Sequence, residues 1–340
     1  MAKVILLRRP REDGRSKTGL GRYADSVEET LKDSSIPYDV IECRLDLKEG
    51  LNAALWHGLI RPFFRVITTC RKDAVVHATD ELCGAFFPFI RGKKIVTVHH
   101  VIRPGEDSGS RYYRLWMRIA RIAVGKADSV IAISDPTARD IRSTFHPDSP
   151  IMVIPNVVSP SFARIEGVER CRTVAVVAEL IPRKNVSVAI EALSMMPNDV
   201  TMTICGRGQC RDSLEKQAEA LGVRTRMTFV ESIEEDDLIA LYNSVAVVMS
   251  PSMHEGAGMT ILEATRCGTP VLCLKDADIP KDVLACTVLC DGPVGMASEA
   301  IRLMNNPEEY AQESSRCMDA SAKYGLASSS ELISGYQHLM

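Results

Sequence analysis

Residues 251–272 read PSMHEGAGMTILEATRCGTPVL, with carboxylates at Glu255 and Glu263. Between them stand Gly256, Ala257, Gly258 and Met259, the small backbone of a nest for anions. An apolar run, VAVVMS (245–250), leads into the segment, and a helical pattern, MTILEATRC, leaves it with Gly268 as its C′ stop. Glu263 then lies about one turn inside that helix. The two acids are eight residues apart, which at helical rise is about 12 Å. That is too far for a paired acid and base on one glycosidic bond. The spacing suits two hydroxyl-bearing groups gripped on either side of a diphosphate. A nucleotide sugar has that layout: sugar, diphosphate, ribose.

Three other loops could meet the same ligand. RRPREDGRSKTGLGRY (8–23) sets Gly19 and Gly21 ahead of the helical pattern YADSVEETLK. Glycines admit close approach of backbone amides to a phosphate. The full G-x-G-x-x-G/A register is absent, so a plain turn explains the loop equally well. AELIPRKNVSVAIEAL (178–193) places Arg183 and Lys184 just before a helix, with Asn185 as candidate N-cap. Arginine forks onto phosphate oxygens and lysine acts as a point charge; a solvated basic turn would read the same way. CGRGQCRDSLEKQAEAL (205–221) repeats G-x-G at Gly206 and Gly208, again between strand and helix.

What must position these loops is an α/β chain. With 340 residues there is room for two domains, and the net charge of −3 gives no global case for nucleic acid. Apolar strand-like runs fall at 4–7, 38–41, 74–78, 94–100, 129–134 and 151–155, and a second series at 173–178, 200–205, 226–230, 245–250, 269–274 and 284–290. Helical patterns separate many of them, which argues for parallel sheets. Two Rossmann-like doubly wound domains facing a central cleft follow, with ligands at the carboxyl ends of the strands. The expected domains are 1–160, 161–322 and a closing helix at 323–340 that packs back on the first. The polar stretch 156–173 is the expected hinge. The eleven cysteines are scattered, with no C-x-x-C pair, so free thiols are expected rather than zinc or a disulfide framework. No D-x-D-like motif in a suitable loop suggests a metal. MAKVILLRRP reaches arginine too early for a signal peptide, so a cytoplasmic location is expected.

PSMHEGAGMTILEATRCGTPV resembles the signature of the retaining glycosyltransferases of group 1, family four, which have the GT-B fold. The resemblance covers most of the chain: TGLGRY, VTVHH, AISDPTARDI, VIPNVV, LIPRKN and CGRGQCRDSLEKQAEALGV are similar to that family's other blocks. It implies that Glu255 holds donor-sugar hydroxyls and Glu263 the ribose. The amides of Gly256 to Met259, with Lys184, would meet the diphosphate; Gly19 and Gly21 would approach from the other domain, and His99 would lie beside the sugar. A histidine at a strand end is also often a core residue. Two positions depart from the pattern. Ala178 and Glu179 stand where the family has Gly-Arg, leaving Arg183 as the adjacent cation, and Ala257 replaces a phenylalanine.

The activity implied is transfer from a nucleotide diphosphate sugar, without cofactor or metal, to a saccharide or lipid-linked acceptor, with retention. RYYRLWMRIARIAVGK (111–126) bears on the acceptor. Arg111, Arg114, Arg118 and Arg121 share one helical face, and Leu115, Trp116, Ile119 and Ile122 occupy the rest. Such a helix suits peripheral contact with an anionic membrane at its inner face; a solvated face over a buried one would look alike. Two other readings stay open: a nucleotide-sugar-binding protein without turnover, and an NAD-dependent oxidoreductase.

Overall fold

The computed structural model describes residues 3–10, 19–43, 61–70, 73–101, 111–324 and 327–340. Residues 11–18 of the first glycine loop and 102–107 after the VTVHH strand lie outside them. The chain folds as two compact units, Met1–Val157 with Leu326–Met340, and Val158–Gly325.

Among the described residues the first unit has six parallel strands: β1 (Lys3–Arg8), β2 (Tyr38–Glu42), β3 (Ala74–Ala78), β4 (Lys93–Val98), β5 (Ser129–Ala132) and β6 (Ile151–Val153), in the order β2-β1-β3-β4-β5-β6. Each central strand is a continuous apolar run because helices cover both faces. Right-handed crossovers decide which helix covers which face. The step from β1 to β2 runs one way, and every later step runs the other. Helix Gly19–Asp33 therefore lies on one face, where Tyr23, Val27 and Leu31 meet Val4, Leu6, Val75 and Ile95. Helices Arg61–Thr69, Arg111–Lys126 and Asp135–Phe145, with the 3₁₀ turn Cys83–Phe89, cover the other. The final helix, Ala327–Leu339, joins the Gly19–Asp33 side, with Leu332 and Tyr336 in its core.

The second unit repeats the plan with β7 (Cys171–Val177), β8 (Thr201–Cys205), β9 (Met227–Val230), β10 (Val245–Ser250), β11 (Val271–Leu274) and β12 (Val288–Cys290), ordered β12-β11-β10-β7-β8-β9, all parallel. Helices Val186–Ser194, Arg211–Ala220 and Gly292–Asn305 cover one face through Ile190, Leu193, Leu214 and Leu303. Helices Glu235–Ser244 and Met259–Arg266 cover the other through Tyr242, Ile261 and Leu262.

In a doubly wound sheet, loops part on either side of the strand where the winding direction reverses, and ligands settle there. In the first unit the reversal lies between β1 and β3, and in the second between β7 and β10. Chain topology alone thus brings together the loop after β7 and the loop after β10.

Several local expectations change. Gly19 and Gly21 do not precede the first helix but form its first turn. Asn185 does stand at the N-cap position, yet its φ is 51° and its side chain makes no cap bond. The boundary between the units falls inside the stretch 156–173, between Val157 and Val158, and most of that stretch packs with the second unit: Val158 and Phe162 are buried in its core, and Cys171–Thr173 belong to β7. The helix Pro307–Ser321, capped by the Asn306 side chain, carried no apolar stripe clear enough to be expected. Gly268 does terminate its helix, at φ 72°.

Candidate functional site

At the reversal point of the second unit, the 3₁₀ turn Pro182–Lys184 meets the segment 252–256. A main-chain bond joins them, the Met253 N–H donating to the Arg183 carbonyl at 3.0 Å, and the Asp278 N–H ties the same residue to the loop after β11 by donating to the Met253 carbonyl at 2.9 Å. On this frame, Lys184 Nζ sits 2.5 Å from Glu255 Oε1. Arg183 lies 3.6 Å from Oε2 of the same carboxylate and donates to the His254 carbonyl at 2.7 Å. Burial alone would raise the Glu255 pKa, but Lys184, Ser252 and Arg183 outweigh it and hold the group below its ordinary value. Glu255 is therefore an anion at neutral pH, flanked by two cations. The sequence pointed Lys184 and Arg183 at a diphosphate; the structure brings both onto Glu255. Ser252 is the partner that sequence reasoning missed, although it lies three residues away in the same motif.

Next comes the nest. The amides of Gly256, Ala257 and Gly258 find no hydrogen-bond acceptor among the described residues, and the helix Met259–Arg266 starts directly after them. Gly258 has φ 64°, and a Cβ there would lie 2.8 Å from Val283 Cγ1. A residue with a side chain would both strain this turn and push its amide out of line. Glu255 precedes the helix, so the helical rise used to separate it from Glu263 does not apply across 255–258. Glu263 itself is 1% exposed, with the Tyr242 hydroxyl a long 3.5 Å from its Oε2.

Gly206 has a structural reason to be glycine. Its φ is 147°, and a Cβ would fall 1.8 Å from the Ala178 carbonyl oxygen. The glycine lets two strand ends close on each other, with Ala178 N–H donating to the Cys205 carbonyl at 2.9 Å and Leu180 N–H to the Arg207 carbonyl at 2.7 Å. Gly208 packs likewise against Leu180. Together they set the height of the 178–184 loop. Glu179 is exposed, and its carboxylate has no partner among the described residues.

In the first unit, the strand ends gather a second polar cluster. His99 follows β4; its Nε2 donates to the Thr79 carbonyl at 2.8 Å. A carbonyl only accepts, so Nε2 carries the proton and Nδ1 presents a lone pair. Burial lowers its pKa to about 4, so the ring is neutral at pH 7. Its face is held edge-on by Tyr23, 4.7 Å between centroids. The His99 N–H donates to Glu81 Oε1 at 3.2 Å. Burial, then the neighbouring Asp80, raises the Glu81 pKa to about 8. Asp80 is bonded to Arg9 at 2.8 Å across the β1–β3 reversal. Arg9, Asp80 and Glu81 escaped the sequence reading; the run TDE directly after the apolar strand AVVHA was the available signal. Gly19 is exposed with open space about its Cα, whereas Gly21 is buried.

Among the described residues, no three His, Cys, Asp or Glu side chains are placed to hold a metal ion, and all eleven cysteines are free. No helix there is long and apolar enough to cross a membrane. Helix Arg111–Lys126 buries Ala120, Ala123 and Val124, and Trp116 and Met117 pack against the same core. Leu115 and Ile122, expected on its apolar side, instead face outward with Arg114, Arg118 and Arg121. The Arg111 side chain lies outside the described ones.

Comparison with known proteins agrees with this geometry. Residues 161–316 match the family described as glycosyl transferases group 1, and residues 27–162 match glycosyltransferase family 4. The chain is 30% identical over 176 residues to the serotype-specific mannosyltransferase WbdA of Escherichia coli, 46% of this chain and 22% of WbdA. It thus spans about a fifth of the length of that relative. To the O-antigen chain mannosyltransferase RfbU of Salmonella typhimurium it is 26% identical, over 73% of this chain and 70% of that one. Among solved structures it resembles sucrose-phosphate synthase from Thermosynechococcus elongatus (TM-score 0.80, 16% identity, 99% of both chains). It also resembles Anabaena HepE in complex with UDP and glucose (TM-score 0.74, 18% identity, 99% of this chain and all of that one). The fold is GT-B, and the chain belongs to the group 1, family four glycosyltransferases.

Proposed function

We propose that the protein transfers a sugar from a nucleoside diphosphate sugar to a saccharide or lipid-linked acceptor, with retention of the anomeric configuration. The observation that carries this reading is the arrangement of Glu255, Lys184 and Arg183 beside the three open amides of 256–258. When the glycosidic bond to the diphosphate breaks, negative charge grows on the leaving oxygen. Preorganised amides, the amino end of helix Met259–Arg266, Lys184 and Arg183 oppose that charge as it develops. We read the reaction as metal-independent because these groups fill the cation's role.

A diphosphate at the nest competes with Glu255 for Lys184 and Arg183. The carboxylate is then left to accept hydrogen bonds from donor-sugar hydroxyls, while Glu263 takes the ribose. Arg183 serves as the second cation where the family has an arginine at the position of Glu179. His99, neutral with a lone pair on Nδ1, accepts a sugar hydroxyl rather than moving a proton. The UDP and glucose held by HepE support a nucleotide donor of this kind, and the outward arginines of helix Arg111–Lys126 support an acceptor presented at an anionic membrane.

The test is turnover of a panel of UDP-, GDP- and ADP-sugars with release of the nucleoside diphosphate. Lys184→Ala should lower kcat by about 100- to 1000-fold; an unchanged rate would remove Lys184 from the mechanism. The exposed Glu179 favours one second reading, binding without turnover. It predicts thermal stabilisation by a nucleotide sugar with no nucleotide released.

A further inference from the structure

We propose that one face of the first unit is a docking surface for an anionic lipid bilayer, built from three segments and anchored by Phe64, Phe89 and Leu115. The inference deepens the lipid-linked acceptor reading and rests on it for its purpose. The surface extends well beyond helix Arg111–Lys126.

The crossover rule places helix Arg61–Thr69, the turn Cys83–Phe89 and helix Arg111–Lys126 side by side on one face of the sheet. Helix Arg61–Thr69 buries Pro62 and Val66 and turns Phe64 and Ile67 outward, 61% and 47% exposed. Phe63 bridges its neighbours, 5.9 Å from the Phe64 ring and 5.1 Å from the ring of Phe89. Phe89 is 58% exposed, and Leu115 and Ile122 are 56% and 44% exposed. Five large apolar side chains on one face of a small unit are more than the scattered exposure ordinary surfaces show.

Within the three segments the charge has one sign, whereas helix Asp135–Phe145, also on this face, carries Asp135 and Asp140 beside Arg139 and Arg142. Segments 61–70, 83–94 and 111–126 carry two, three and five Lys or Arg residues and no Asp or Glu, although the whole chain is at −3. Lys93 and Lys94 are paired with Asp128. Arg61, Arg65, Arg91, Arg114, Arg118 and Arg121 are exposed, and none has a carboxylate partner among the described residues. Aromatic and aliphatic anchors interleaved with arginine match a headgroup layer, where rings enter the acyl boundary and guanidinium groups stay with phosphates. A second copy of the same face would set like charges together. A nucleic acid would leave Ile67, Leu115 and Ile122 against water and phosphate.

The experiment is flotation of the full chain with vesicles of phosphatidylglycerol and phosphatidylcholine, 1:1, and with pure phosphatidylcholine, in low and high salt. The wild type should float with the anionic vesicles only, and less at high salt. Arg114→Gln/Arg118→Gln/Arg121→Gln should weaken binding about 100-fold. Phe64→Ser/Phe89→Ser should weaken it at least about tenfold while leaving far-ultraviolet circular dichroism and turnover of a soluble acceptor unchanged. No flotation of the wild type overturns the proposal, and so does binding that ignores the phenylalanine pair, which is adsorption by charge alone. Because flotation needs no donor, a failed donor assay with intact flotation sinks the transfer reading and spares this one.

Discussion

Lys184 and Arg183 share one carboxylate, and that sharing fixes what each substitution should do. In Glu255→Gln the hydrogen-bonding shape persists but the anion is gone, so both cations are released toward a phosphate. We expect nucleotide affinity to hold or rise while kcat falls, a split read directly from KM and kcat. In Glu255→Ala two partly buried cations lose their partner, and stability should drop by about 1–3 kcal/mol as well. Equal loss of affinity and rate in both variants would mean that Glu255 is only structural. Gly206→Ala tests the frame beneath the site. Its Cβ would collide with the Ala178 carbonyl, so thermal denaturation should show more than about 3 kcal/mol of lost stability. A soluble variant of wild-type stability would contradict the close approach. The motif 251–272 made Glu255 and the nest legible in the sequence. Their pairing with Lys184 and Arg183 was not, because it depends on strand order, which no local pattern encodes.

Among the elements, the closing helix Ala327–Leu339 has the most specific attachment. Tyr336 is fully buried and its hydroxyl lies 2.5 Å from His77 Nδ1. His77 Nε2 meets the Thr97 hydroxyl at 2.8 Å, and Thr97 meets the Tyr23 hydroxyl at 2.8 Å. Tyr23 in turn supports the ring of His99. A relay of hydrogen bonds thus runs from the last helix to the end of β4. Tyr336→Phe keeps the ring and strands His77 Nδ1 in a dry environment, which should lower stability by about 1–3 kcal/mol. Equilibrium denaturation checks this; a neutral effect would mean the bond adds nothing. All twelve strands among the described residues could be located from apolar runs, since strands buried on both faces need little else. Their ends were misjudged where an apolar run continues outside the strand, as at 284–287 before β12, where Leu284 ends the helix Lys281–Leu284. The buried polar chain itself was invisible, because His77, Thr97, Tyr23 and Tyr336 are far apart in sequence and each alone reads as an ordinary core or helix residue.

At the scale of the whole molecule, buried ionisable groups set the response to pH. Burial raises the Glu81 pKa from 4.5 to about 8. The native state therefore holds a proton there that the unfolded chain gives up, and the stability linked to it is full below pH 4.5 and is lost as pH rises through 8. Burial lowers the pKa of His77 to about 3 and that of His99 to about 4, from 6.5. Their stability is full above pH 6.5 and is lost as the pH falls toward those values. The opposing slopes place a stability maximum near pH 6.5. Glu81→Gln should flatten the decline between pH 6.5 and 8 in urea titrations, and an unaltered slope would show that Glu81 titrates normally.

The central claim is that the Glu255, Lys184 and amide cluster handles a nucleoside diphosphate sugar. The direct measurement is nucleoside diphosphate release from UDP-, GDP- and ADP-sugars by the wild type, Glu255→Ala and Lys184→Ala, with binding followed by thermal shift. One donor should raise the melting temperature and be turned over by the wild type, with both variants slowed about 100-fold or more. A flat melting temperature and no release for every donor, or full activity in both variants, would contradict the account.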